Sequence, residues 1–92
     1  MSIIRFKAVD FTDQREAWLN AEAEDAVAMI RPSILDGLRL PADTFAEEGE
    51  PVTWSIYNAS RAAPGFLSDS DLVRDVVAEG ETLRVVPDLV AG

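Results

Sequence analysis

The sequence predicts an α+β domain, a mixed sheet of four to five strands wrapped on one helix. Two observations carry this. Apolar and polar residues alternate through 3–9 and 15–22, switch to a spacing of three and four across 24–38, and alternate again over 52–58 and 82–86. A short turn joins the first two strands into a hairpin, and a single helix precedes the remaining strands. That order places the final strand beside the first.

In chain order, Ile4, Phe6 and Ala8 share one face of the first strand, and Ile3, Arg5, Lys7 and Val9 the other. Residues 10–14 (DFTDQ) supply the turn. In the second strand Ala17, Leu19 and Ala21 face the core and Trp18 the open side, although a one-residue slip would reverse that and bury the tryptophan. Val27, Ile30, Ile34 and Leu38 form the stripe of a helix expected over 24–36. Glu22, Glu24 and Asp25 cluster at its start, where negative charge suits the helix dipole, and Gly37 stands where a left-handed C-terminal cap is wanted. Pro32 removes one helical hydrogen bond, so a kink near Ala28 or a split into two pieces is expected. Residues 41–51 (PADTFAEEGEP) read as an acidic loop. The third strand, 52–58, turns Val52, Trp54 and Ile56 inward and Thr53, Ser55 and Tyr57 outward. Residues 59–65 form a loop, and Asn58-Ala59-Ser60 matches a glycosylation sequon by chance in a cytosolic chain. Leu72, Val73, Val76 and Val77 make an apolar crossing, Glu79-Gly80-Glu81 a tight turn, and Thr82 to Val86 the last strand. Residues 1–86 are thus one domain, and 87–92 a flexible tail ending in glycine.

Composition narrows the function. A chain of 92 residues makes one modest core. A net charge of −9 argues against nucleic acid and anionic membrane, which need a basic footprint. No apolar run reaches a membrane span, and no signal peptide is evident, so a cytoplasmic location is expected. The chain has neither cysteine nor histidine, which removes thiolate chemistry, disulfides and the usual general base. A non-catalytic protein without cofactor is expected. The acidic stretches at 47–48 and 69–75 lack the spacing of a calcium loop and read as solvated surface, so no metal is expected.

Two candidate sites remain. The first is the tail: the Gly92 carboxylate can be activated as an acyl group, and Gly92 and the small Ala91 would enter a narrow channel without crowding a nucleophile. The second is the outward sheet face, where Arg5, Lys7 and Arg84 would gather with Ser55, Tyr57 and Val86, joined by Trp18 if it is exposed. Tyrosine and arginine are favoured interface anchors. Lys7 is the sole lysine, so any polymer would link through it or through the N-terminal amine.

The order and spacing of these residues resemble the ubiquitin-like β-grasp family. Leu19, Ala21, Val27, Ile30 and Ile34 fall at the spacing of ubiquitin's second strand and helix. Leu72 to Val86 is similar to its final crossing and last strand, with Leu83 and Val85 as the inward pair, and the distance on to Gly92 is the same. Leu38-x-Leu40-Pro41 and Gly80-x-Thr82-Leu83-x-Val85-Val86-Pro87 look like the bacterial YukD-like branch. The departures are Pro32, the loop over 41–51 and the tail, which carries Asp88 and ends Ala91-Gly92 where ubiquitin's is basic and ends Gly-Gly. The resemblance implies a modifier whose terminal glycine is activated and joined to target amines. Its partners would be activating and conjugating enzymes, a deconjugating protease and the target, with dedicated machinery that does not read tail arginines. A noncovalent YukD-like module of a secretion or signalling assembly, or a sulfur carrier, are the alternatives.

Overall fold

A computed structural model describes residues 2–40, 44–45, 51–61 and 65–89. The elements run β1 (Ile3–Val9), β2 (Glu16–Glu22), α1 (Val27–Gly37), β3 (Thr44–Phe45), β4 (Pro51–Asn58), α2 (Val73–Val76) and β5 (Thr82–Leu89). They form one five-stranded sheet in the order β2-β1-β5-β4-β3. β1 pairs antiparallel with β2 and parallel with β5, so the sheet is mixed and the last strand lies beside the first. No helix among the described residues is long and apolar enough to cross a membrane.

The hairpin owes its turn to Asp10. This buried carboxylate accepts hydrogen bonds from the Thr12 hydroxyl at 2.8 Å and the backbone N–H groups of Gln14 and Arg15 at 3.0 and 3.2 Å. Burial pushes its pKa up, but those three bonds and the nearby Arg15 charge outweigh it and hold the carboxyl below its ordinary value. Alternation then decides the faces. Phe6 and Ala8 of β1, Ile56 of β4 and Leu83 and Val85 of β5 are buried against Ile30, Ile34 and Leu38. Each of these side chains except the smaller Ala8 contributes roughly 1.5–3 kcal/mol through burial.

The helix differs from expectation at both ends. It begins at Val27, not at residue 24, and no acidic residue lies in its first turn. The reason is backbone pairing with α2. Val27 and Ala28 donate their N–H groups to Asp71 O and Asp69 O at 2.8 and 3.1 Å, while Val73 and Arg74 donate to Asp25 O and Ala23 O at 2.8 and 3.1 Å. The two helical turns cap one another, and the acidic residues before Val27 belong to the capping strap. At the other end Gly37 is not the left-handed residue. Arg39 is, with φ 58°, and Leu40 N–H to Leu35 O at 2.8 Å and Arg39 N–H to Asp36 O at 3.0 Å complete the Schellman pattern. Gly37 faces Ala17, and a Cβ there would meet the Ala17 Cβ at 3.4 Å, an ordinary van der Waals contact. The split expected at Pro32 does not occur: α1 is one element, with Pro32 and Ala28 both on its exposed side.

Two strand bounds also differ. A two-residue strand, β3, lies inside the stretch read as loop, paired with Pro51 and Val52. β5 continues past Val86 through Pro87, Asp88 and Leu89, which pair with Trp54, Thr53 and Val52. β1 pairs only with Thr82 to Arg84, so the later half of β5 is an edge on that side, which is where a strand tolerates proline. At its start Gly80 adopts φ 82° and donates to Arg5 O at 2.8 Å, a left-handed turn that favours glycine.

Candidate functional site

The pairing register places Arg5, Lys7, Trp18, Ser55, Tyr57, Arg84 and Val86 on the sheet face opposite α1. Lys7 is the cross-strand partner of Trp18, Arg84 of Tyr57, and Val86 of Ser55. The register question at Trp18 is settled, because the ring is 50% exposed. The Arg5 guanidinium lies 5.1 Å from its centroid, a distance that suits a cation–π contact.

Within this face the charges are largely matched. Lys7 Nζ meets Glu16 Oε2 at 2.8 Å, and Arg84 Nη2 meets Asp13 Oδ1 at 2.6 Å. The Arg84 Nη1 also points at the Tyr57 hydroxyl, 3.4 Å away. That hydroxyl, with Asp13, raises the Arg84 pKa further against the opposing effect of burial. The Nε of Arg84 is buried without a hydrogen-bond partner, and Val9, its register neighbour, is buried although it lies on the outward face. Arg84 therefore lies down across the sheet and tethers the β1–β2 turn. The free basic spot expected from the sequence is instead a mixed-charge face, on which Arg5 is the basic residue without a carboxylate partner among the described residues.

Phe66 extends this face and was not legible in the sequence. It bridges to Tyr57 at the backbone, its ring stands edge-on to the Tyr57 ring at 6.0 Å, and it is 67% exposed. It sits just after a stretch read as plain loop, with no periodic signal to mark it. Asp13 and Glu16, the carboxylates that neutralise the face, were also missed. Both flank the β1–β2 turn, and only the folded register brings them within reach of Arg84 and Lys7.

The tail candidates Gly92 and Ala91 lie outside the described residues. The sheet does include Pro87, Asp88 and Leu89, which the sequence assigned to the tail.

A buried polar hub stabilises the end of β4 nearest α2. Asn58 donates through Nδ2 to Val76 O at 2.9 Å and Glu81 Oε1 at 3.0 Å, and its Oδ1 accepts from Ser60 N–H at 3.0 Å. The sequon asparagine is thus fully engaged and buried. Glu81 Oε1 also accepts from Ala78 N–H at 2.7 Å and Arg61 Nη2 at 3.2 Å. The Ala78 bond, followed by those from Arg61 and Asn58, outweighs desolvation and lowers the Glu81 pKa. This network is structural. No group of His, Cys, Asp and Glu suited to a metal ion occurs among the described residues.

No protein-family model and no curated protein matches this sequence. Among solved structures the chain is similar to Caldiarchaeum subterraneum ubiquitin, with a TM-score of 0.67 and 18% identity, covering 99% of this chain and 100% of that one. The fold is a ubiquitin-like β-grasp.

Proposed function

We propose that the protein is a ubiquitin-like modifier of bacterial type, cytoplasmic and not itself catalytic. The observation that supports this most is the coincidence of a β-grasp body over 99% of the chain with a last strand that leads to a terminal glycine three residues on. In this reading the Gly92 carboxylate attacks the α-phosphorus of ATP and releases pyrophosphate. An enzyme thiol then displaces AMP, and a target amine displaces the thiol to give an amide. Ala91 lets the end pass a narrow channel. Arg5, Trp18, Tyr57, Arg84, Ser55 and Val86 dock the activating and conjugating partners and a deconjugating protease, with Lys7 at the centre of the face.

A second reading, a noncovalent YukD-like module, draws on the length of β5. That strand pairs through Leu89, three residues into the stretch 87–92 expected to be a free tail. Intact mass spectrometry of tagged protein from its native cells separates the readings. Adducts joined at Gly92 and abolished by deleting it support a modifier. Exchange of one terminal oxygen for sulfur would indicate a sulfur carrier. Unmodified protein in stable complexes would indicate the noncovalent module.

A further inference from the structure

We infer a second binding site, for an oxyanion, where the C-terminal end of α1 meets the start of β2. It stands whether or not Gly92 is activated. The argument begins with the cations. Carboxylates outnumber basic side chains 17 to 8, so an arginine without a carboxylate is unexpected. Lys7, Arg31, Arg61 and Arg84 each have one, and Arg5 covers Trp18. Arg15, Arg39 and Arg74 make no ion pair among the described residues, and of these Arg15 and Arg39 line the same concavity of about 360 Å³ with Gln14, Glu16, Gly37 and Leu38.

That concavity is pre-organised. Arg15 Nη1 donates to Leu38 O at 3.3 Å and Arg39 O at 3.1 Å, which fixes one edge of its guanidinium against the helix end and leaves its other N–H groups without a partner among the described residues. The Arg39 backbone takes the left-handed φ of 58° that closes α1, and its side chain is exposed. Glu16 is the acidic residue of the lining, and its Oε2 is already paired with Lys7 at 2.8 Å. A guanidinium fork matches a carboxylate or a phosphate, because it can present parallel donors to two oxygens, and two arginines line this one hollow. The volume is ample, at about ten times a water's ~30 Å³ share of liquid.

The test is an amide and arginine side-chain NMR titration of the full chain at constant ionic strength. Inorganic phosphate is used in one arm and acetate in the other, with sodium chloride as the balancing salt. Saturable shifts confined to Gln14, Arg15, Glu16, Leu38 and Arg39, at about 1–10 mM in either arm, are expected. Response to phosphate alone would mark a phosphoryl site, and response to both a carboxylate-tolerant one. Arg39→Gln should weaken binding about three- to fivefold, the worth of one exposed charge contact. Arg74→Gln, at an exposed arginine on α2, should not. Because Arg15 also caps α1, Arg39→Gln keeps the test independent of folding. Shifts that stay linear, spread equally to Arg74, or survive Arg39→Gln unchanged would overturn the site.

Discussion

Replacing Asn58 by Asp tests the buried hub most sharply. The change is nearly isosteric, so packing is preserved while both Nδ2 donors are lost. The bond to Val76 O at 2.9 Å is worth about 1 kcal/mol, and the bond to the Glu81 carboxylate at 3.0 Å about 1.5–3 kcal/mol. The new carboxylate then faces Glu81 at a similar distance. Relieving that repulsion by taking up a proton at pH 7 costs at most about 4 kcal/mol, from ~1.4 kcal/mol per pH unit above an ordinary carboxyl value. The lost bonds amount to about 2.5–4 kcal/mol and the repulsion adds at most about 4, so a total of roughly 3–8 kcal/mol follows, against the ~5–15 kcal/mol that holds a typical domain together. Asn58→Leu loses the same bonds without the repulsion and should cost about 2–4 kcal/mol. Urea denaturation followed by tryptophan fluorescence at pH 7 and pH 4.5 separates the two. The Asp variant's facing carboxyls titrate above their unfolded values, so its penalty is full at pH 7 and shrinks as pH falls. The Leu variant carries no such added dependence. An Asp variant within 1 kcal/mol of wild type at pH 7 would show that Asn58 does not bind the hub together.

Asp10 and Glu81 have folded pKa values below their unfolded ones, so each contributes stability that is present above about pH 4 and lost as pH falls through its folded value; Asp10→Asn and Glu81→Gln should flatten the acid limb of a stability–pH curve, and an unchanged slope would contradict the assignment. Leu83→Ala, at a position with 0% exposure between β1 and β4, should cost about 2–5 kcal/mol in denaturant midpoint analysis. Gly80→Ala should cost about 1–2 kcal/mol from φ 82° alone, because nothing lies within 4 Å of the added Cβ; a neutral result would mean the turn has relaxed. Arg5→Ala should change stability by about 1 kcal/mol or less while shifting the emission of the half-exposed Trp18, and a large loss of stability would mean that Arg5 supports the fold.

What the sequence disclosed followed from periodicity. Alternation through Ile4, Phe6 and Ala8, and through Leu83 and Val85, is set by the pleat, so faces and strand neighbours could be read before any coordinate. The helix stripe Val27, Ile30, Ile34 was equally plain, because burial enforces it. The ends were not legible, since they depend on partners distant in sequence. Val27 begins α1 because Asp71 and Asp69 supply carbonyls more than forty residues away, and no local cap marks it. Gly37 suggested a left-handed cap, but Arg39, two residues on, bears the positive φ. On the outward face the register was legible and the charge balance was not. Glu16 and Asp13 reach Lys7 and Arg84 only once the hairpin register is set.

That charge matching bears on how the face can bind. A face of unpaired cations would attract any acidic surface and lose most of that attraction with salt. Here Arg84 and Lys7 are already committed to carboxylates, so a partner that used them would first have to displace Asp13 or Glu16. Exposed ion pairs of this kind are worth about 0–1 kcal/mol, so displacement is feasible but adds little net affinity. Selectivity must then rest on shape and on the rings. Trp18 with Arg5 at one side and the half-buried Tyr57 with the exposed Phe66 at the other are aromatic groups of this face, separated by β1 and β5. A partner that engages both must span those two strands with apolar contacts, and its binding should change little between low and physiological salt.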